Sequence, residues 1–171
     1  MKVLIDESAV QQGVARLAKA IASDYPHQPL TIIGIMTGSL VLLADLIRQL
    51  DLPLRVGVIQ ASSYRGGTVA GELAIDEQWM PEVKGHDVLL VDDIFDTGHT
   101  LSRITEKVQE QQPKSVRSAV LLTKADRTEV QIRPDYSVFD IPDEFVVGYG
   151  LDYQDEYRHL PYIATLEASD L

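Results

Sequence analysis

Three carboxylates crowd the end of an apolar run: Val88-Leu89-Leu90-Val91 leads into Asp92-Asp93-Ile94-Phe95-Asp96, and Thr97-Gly98-His99-Thr100 then opens a helical pattern. Amide hydrogens and threonine hydroxyls at a helix start make a phosphate cradle. Gly98 lets the backbone come close to an anion. Carboxylates, however, repel a bare phosphate. Two arrangements resolve the conflict: the carboxylates accept hydrogen bonds from sugar hydroxyls, or a divalent cation stands between the charges. Both together describe a phosphorylated ribose with a metal. An acidic loop with an ordinary helix cap would account for one Asp or Thr, not for this density at a strand end. A second candidate is Thr37-Gly38-Ser39, directly after the apolar run Leu30 to Met36. It reads either as a turn and cap or, from its place at a strand end, as a ligand contact.

These residues need elements to position them. Asp6 to Ser23 has Val10, Val14, Leu17 and Ile21 at helical spacing, with Asp6 able to cap the start. Leu30 to Met36 is a continuous apolar run, as in a strand buried on both faces. Leu40 to Leu50 returns to a helical pattern; Leu54 to Ile59 and Val88 to Val91 read as strands. A helix over about Thr100 to Gln111, a strand over Val116 to Leu122, and shorter strands over Phe145 to Tyr149 and Tyr162 to Leu166 complete the set. The alternation predicts an α/β fold: a central, mostly parallel twisted sheet with right-handed crossovers and helices on both faces. Ligands of such sheets bind beyond the carboxyl ends of the strands, here the loops after Met36, Ile59, Val91 and Leu122. Residues 60–85 are a long polar excursion containing Ser62-Ser63-Tyr64-Arg65-Gly66-Gly67-Thr68, expected to act as a mobile lid.

The 171 residues fit one domain with a sizeable core, and 45% hydrophobic residues make the composition globular. A formal charge of −11, from 26 acidic and 15 basic side chains with no basic run, disfavours nucleic acid and anionic membrane as partners. The chain has no cysteine, which excludes disulfides and cysteine metal sites. His27, His86, His99 and His159 lack zinc-ligand spacing. No apolar stretch near Met1 is long enough for a signal peptide or a membrane span, so the expected location is the cytoplasm.

The segment Asp92 to Thr100, after its four apolar residues, resembles the phosphoribosyl-diphosphate signature of type I phosphoribosyltransferases. Ile141-Pro142-Asp143-Glu144-Phe145-Val146-Val147-Gly148-Tyr149-Gly150-Leu151-Asp152-Tyr153, with Glu156-Tyr157-Arg158 and Leu160-Pro161-Tyr162, is similar to the purine-binding hood of the hypoxanthine/guanine members. Element order matches from about Val3 to Leu166. The resemblance implies the type I phosphoribosyltransferase fold, with a small C-terminal hood over about 141–171. It implies that Asp92 and Asp93 hold the ribose hydroxyls. Asp96 would be the catalytic group that takes or shares the proton on the purine imidazole nitrogen. Asp96, Thr97, Gly98, His99 and Thr100 would bind the 5′-phosphate. Thr37, Gly38 and Arg158 would meet pyrophosphate. Lys124 would donate to the exocyclic oxygen, Phe145 would stack on the base, and the backbones of Val146 and Asp152 would read its pyrimidine edge. Asp152, with Asp92 and Asp93, would face Mg2+, and Ser63-Tyr64 would begin the lid. Many relatives have Lys or Arg where Thr37 stands, so this loop has lost a charge that could aid diphosphate binding. In the family this loop often holds a cis peptide before the glycine.

The expected reaction joins hypoxanthine or guanine to 5-phosphoribosyl diphosphate, giving a nucleoside monophosphate and pyrophosphate, in a homodimer or homotetramer. Three alternatives stay open. One is a xanthine-preferring relative. Another is an RNA-binding regulator on the same fold, which would need a basic face. The third is a nucleotide-binding module without catalysis.

Overall fold

The computed structural model describes residues 1–63 and 73–167. Its elements are β1 (Lys2–Ile5), α1 (Glu7–Asp24), β2 (Leu30–Met36), α2 (Leu40–Ile47), β3 (Leu54–Ser63), β4 (Leu73–Asp76), β5 (Asp87–Phe95), α3 (His99–Gln109), β6 (Ser115–Thr123), β7 (Tyr136–Asp140), β8 (Val146–Val147) and β9 (Ile163–Thr165). A 3₁₀ turn, Ala125–Arg127, follows β6.

Six strands form the main sheet in the order β4-β3-β2-β5-β6-β7. All its pairings are parallel except β3 with β4. Successive side chains of a strand point to opposite faces, and burial follows that period. Ile32, Leu89, Val91 and Leu121 join the cluster of Val10, Val14, Leu17 and Ile21 from α1 and Leu42, Leu43 and Leu46 from α2. Ile33, Ile35, Val88, Leu90 and Val120 join Leu101, Ile104 and Val108 of α3. Helices therefore cover both faces, and the mostly parallel α/β sheet read from the alternation holds. Asp6 caps α1 as expected, its Oδ1 accepting from Ala9 N–H at 2.8 Å.

Register decides where the chemistry sits. Met36 pairs with Gln60 across β2 and β3, and Phe95 with Thr123 across β5 and β6. Thr123 is also level with Asp140 of β7. The carboxyl ends of the parallel strands thus line up along one edge.

Several boundaries differ from the sequence reading. β5 runs on through Asp92 and Asp93 to Phe95, so the first two carboxylates belong to the strand and not to the loop after it. α2 ends at Ile47, although Leu50 is buried: the chain turns with Gln49 N–H donating to Leu46 O, and the apolar period outlasts the helix. Phe145 lies ahead of β8, outside any strand. Of the polar excursion over 60–85, residues up to Ser63 and Leu73–Asp76 are an antiparallel strand pair. Tyr64 lies outside the described residues, as does the rest of the expected lid between these strands. A second, antiparallel sheet has the order β1-β9-β8, so the N-terminal strand joins the C-terminal segment expected to form the hood. Val146 of β8 and Ile163 of β9 share an apolar cluster with Ile32 and Leu89 of the main sheet. Among the described residues no helix is long and apolar enough to cross a membrane.

Candidate active site

The aligned strand ends open on a cleft of about 340 Å³. Thr37 and Gly38 line it from the loop after β2, Asp92, Asp93 and Asp96 from β5 and beyond, and Thr97, Gly98 and Thr100 from the start of α3. Asp152 and Arg158 close it from the C-terminal segment. Expected site residues from three separate stretches of the chain, 37–38, 92–100 and 152–158, thus line one cleft.

Two glycines permit this assembly. A Cβ on Gly38 would lie 1.6 Å from Asp93 Oδ2, so the loop after β2 lies directly against the carboxylate. Gly150, at φ +102°, brings the C-terminal segment against that same loop: its Cβ would lie 2.1 Å from Gly38 O. The Met36–Thr37 peptide is cis, one bond upstream of the Thr37–Gly38 bond that precedes the glycine. Gly98 is left-handed, and Ser102 N–H donates to its carbonyl at 3.0 Å. In a helix the amides ahead of that bond have no intrahelical acceptor and are available to an anion.

The electrostatics are lopsided. Asp92 is 7% exposed. Desolvation, and then the neighbouring Asp93 charge, push its carboxyl well above the ordinary carboxylate range. Desolvation also raises Asp93, against the opposing pull of the Ile94 amide and the Arg158 charge. Asp93 N–H donates to Asp92 Oδ1 at 3.0 Å and Ile94 N–H to Asp93 Oδ1 at 2.6 Å, which fixes both side chains. Asp96 Oδ1 is buried without accepting a hydrogen bond; Arg127 Nε stands 3.0 Å away, off the hydrogen-bond direction. Arg158 Nη2 pairs with Asp152 Oδ1 at 2.7 Å, and its Nη1 donates to Gly150 O at 2.7 Å.

The phosphoribosyl transferase domain family matches residues 4–154. The chain belongs to this family. Within it, the chain is 42% identical over 167 residues to the hypoxanthine-guanine phosphoribosyltransferase of Staphylococcus epidermidis, covering 97% of this chain and 93% of that one. It is 38% identical to the Streptococcus pneumoniae enzyme of the same name, with the same coverage. A crystal structure of a Bacillus anthracis hypoxanthine-guanine phosphoribosyltransferase, with a HEPES molecule in the active site, superposes with a TM-score of 0.92 at 35% identity, covering 98% of this chain and 99% of that one. The Trypanosoma cruzi hypoxanthine phosphoribosyltransferase, in complex with the product IMP, gives 0.90 at 36%, covering 99% and 95%.

In this phosphoribosyltransferase the residues expected to meet the base are less gathered than those expected to meet the sugar phosphate. Lys124 is buried beside the cleft, its Nζ 3.9 Å from Asp96 Oδ2 and 3.4 Å from Asp143 Oδ1. Its amide donates to Phe95 O at 2.9 Å, which ties the end of β6 to the phosphate turn. Phe145 is 58% exposed, edge-on to Tyr153 with ring centroids 5.7 Å apart. Val146 is buried in β8. The His99 ring points away from the cleft to Glu129, at 2.7 Å, so that residue can offer the phosphate only its backbone. Asp92, Asp93 and Asp152 share the cleft, yet among the described residues no three acidic or histidine side chains converge as a metal cage.

Two residues had no role in the sequence reading: Arg127 and Asp143. Arg127 reaches Asp96 and Asp143, at 3.0 and 3.3 Å. Desolvation pushes the Asp143 carboxyl up, but the hydrogen bond and charge of Arg127, then those of Lys124, outweigh it and hold the group below its ordinary value. The available signal was spacing. Residues three apart eclipse in a 3₁₀ turn, which puts Lys124 and Arg127 on one side.

The raised carboxyls carry a stability prediction. A carboxyl raised in the folded state binds more protons folded than unfolded, so it costs stability as pH rises from the unfolded value through the folded one. Asp92→Asn keeps the oxygen that accepts from Asp93 N–H and removes the charge. It should raise Tm at pH 7 by roughly 2–4 °C, about 1 kcal/mol for a chain of this size. The gain should shrink toward pH 4, where the wild-type carboxyl is protonated. Thermal melts of both proteins across that range test this; a lowered Tm at pH 7 would contradict it.

Proposed function

We propose that the protein transfers the 5-phosphoribosyl group of 5-phospho-α-D-ribosyl 1-diphosphate to hypoxanthine or guanine, giving IMP or GMP and pyrophosphate. The observation that carries this reading is one cleft lined by the carboxylates of Asp92, Asp93 and Asp96, by Thr97, Gly98 and Thr100 at the start of α3, and by Arg158. Family membership and the relatives described above support it.

In this reading the amides at the start of α3, with Thr97 and Thr100, hold the 5′-phosphate, and Asp92 and Asp93 accept from the ribose hydroxyls. The bond from the anomeric carbon to the diphosphate oxygen breaks, and the bond to the purine nitrogen forms. Asp96 takes the imidazole proton. Its carboxylate lines the cleft, which suits a base worth about 10²–10⁴-fold. Arg158 and the Thr37–Gly38 backbone receive pyrophosphate. Lys124 donates to the exocyclic oxygen of the base, and Phe145, exposed before ligand binds, stacks on it with the backbones of Val146 and Asp152 at its edge.

The donor set also fits Mg2+. The cleft gathers Asp92, Asp93, Asp96 and Asp152 against one lining cation, Arg158. Magnesium is commonly held by one or two carboxylates plus water and substrate phosphates, not by a protein cage. Asp152, Asp92 and Asp93 are the residues that would face it. Bound there, it supplies Lewis-acid stabilisation of the departing diphosphate. We further propose that the enzyme works in the cytoplasm as a homodimer or homotetramer.

A product assay offering hypoxanthine, guanine, xanthine, adenine and uracil with the sugar diphosphate tests the assignment. The Lys124 ammonium has donors and no acceptor. A 6-oxo group satisfies it, while the adenine amino group leaves it facing a donor. An unmade hydrogen bond of this kind costs ~1–3 kcal/mol, so kcat/KM for hypoxanthine or guanine should exceed that for adenine by roughly 10–100-fold. Dominant activity on adenine or uracil would reject the reading.

A further inference from the structure

Beside the cleft, four charged groups form a closed ring of alternating sign. Lys124 Nζ reaches Asp96 at 3.9 Å and Asp143 at 3.4 Å; Arg127 reaches the same two carboxylates at 3.0 and 3.3 Å. The members come from three places in the chain: the phosphate turn after β5, the 3₁₀ turn after β6, and the Pro142–Glu144 segment immediately before Phe145. Arg127 spans its two partners with different nitrogens, Nε toward Asp96 and Nη1 toward Asp143. A planar guanidinium can hold that fork, whereas an ammonium is a point charge without it.

From this geometry we infer that Arg127 is a positioning residue for the transfer reaction, holding the Asp96 carboxylate toward the purine while Asp143 anchors the other arm of its guanidinium. The inference rests on the role proposed above for Asp96. Its logic follows from the ring. When the base arrives, Lys124 turns its hydrogen bonds to the exocyclic oxygen, and its hold on both carboxylates weakens. Arg127 has no such second task, so it is the cation left to fix the Asp96 carboxylate while that group accepts a proton. Arg127 touches neither the sugar phosphate turn amides nor the ribose acids among its ion pairs and hydrogen bonds. It is 44% exposed, so its replacement leaves the core intact.

The test is a double-mutant cycle read in single turnovers with phosphoribosyl diphosphate and hypoxanthine. Arg127→Gln should slow the chemical step about tenfold, while KM for phosphoribosyl diphosphate stays within about twofold. Arg127→Lys should recover part of that rate, since it restores charge without the fork. In an Asp96→Asn background, Arg127→Gln should cost nothing further, because a group that acts through Asp96 loses its effect once Asp96 cannot accept the proton. A normal rate for Arg127→Gln beside a slow Asp96→Asn would overturn the positioning role and leave the Asp96 reading standing. Equal slowing by Arg127→Gln in both backgrounds would also overturn it, as would a rise confined to KM for phosphoribosyl diphosphate. A normal rate for Asp96→Asn alone would instead remove the reading on which the inference rests.

Discussion

Asp96→Asn should lose about 10²-fold or more in the chemical step while binding nucleotide within about tenfold, or ~1.4 kcal/mol. The substitution preserves shape and leaves an oxygen where Arg127 Nε stands, 3.0 Å from Asp96 Oδ1. It removes the capacity to take a proton. The backbone of the phosphate turn is undisturbed, because it is held elsewhere, by Lys124 N–H on Phe95 O and Glu129 N–H on Thr97 O. Asp93→Asn should differ. Its carboxylate lies against Gly38, and its proposed role is to hold the ribose, so binding and rate should fall together. Single-turnover kinetics are required, since slow product release can hide a chemical defect. A near-normal chemical rate in Asp96→Asn, across the pH range where hypoxanthine is neutral, would leave Asp96 a positional role only.

Stripping divalent cations should have the largest effect. Thr37 is neutral, and Arg158 is committed to Asp152 at 2.7 Å and to Gly150 O at 2.7 Å. Four carboxylates line the same cleft. A diphosphate entering such a site meets far more negative charge than positive. Lewis-acid stabilisation worth several kcal/mol corresponds to a loss of about 10³-fold when it is withdrawn. Turnover should collapse in excess chelator and return on adding Mg2+. Undiminished turnover, with metal removal verified by elemental analysis, would refute the proposed chemistry.

Much of the architecture was legible because burial imposes a period on the residues. The run Leu30–Met36 is apolar without alternation because β2 is covered on both faces. The 3.6-residue spacing of Val10, Val14, Leu17 and Ile21 similarly marks the buried face of α1. The signature Asp92 to Thr100 was legible because one strand end and one helix start, adjacent in the chain, line one side of the cleft. β1 and β7 were not anticipated: each is short and half-exposed, with no long apolar run to mark it.

What the linear order could not convey is which distant groups meet. The sequence by itself determined the α/β class, the Thr97–Thr100 turn that opens a helix and the acids beside it, through local patterns that any chain with this covalent order must carry. The tertiary structure alone decided that Gly38 lies against Asp93 and Gly150 against Gly38, contacts between segments up to about 110 residues apart. It also turned His99 outward to Glu129 and joined Lys124, Arg127, Asp96 and Asp143 in a ring. The physical reason is that parallel pairing sets the register of the strand ends, and register, not sequence distance, determines which loop side chains come within a few ångströms.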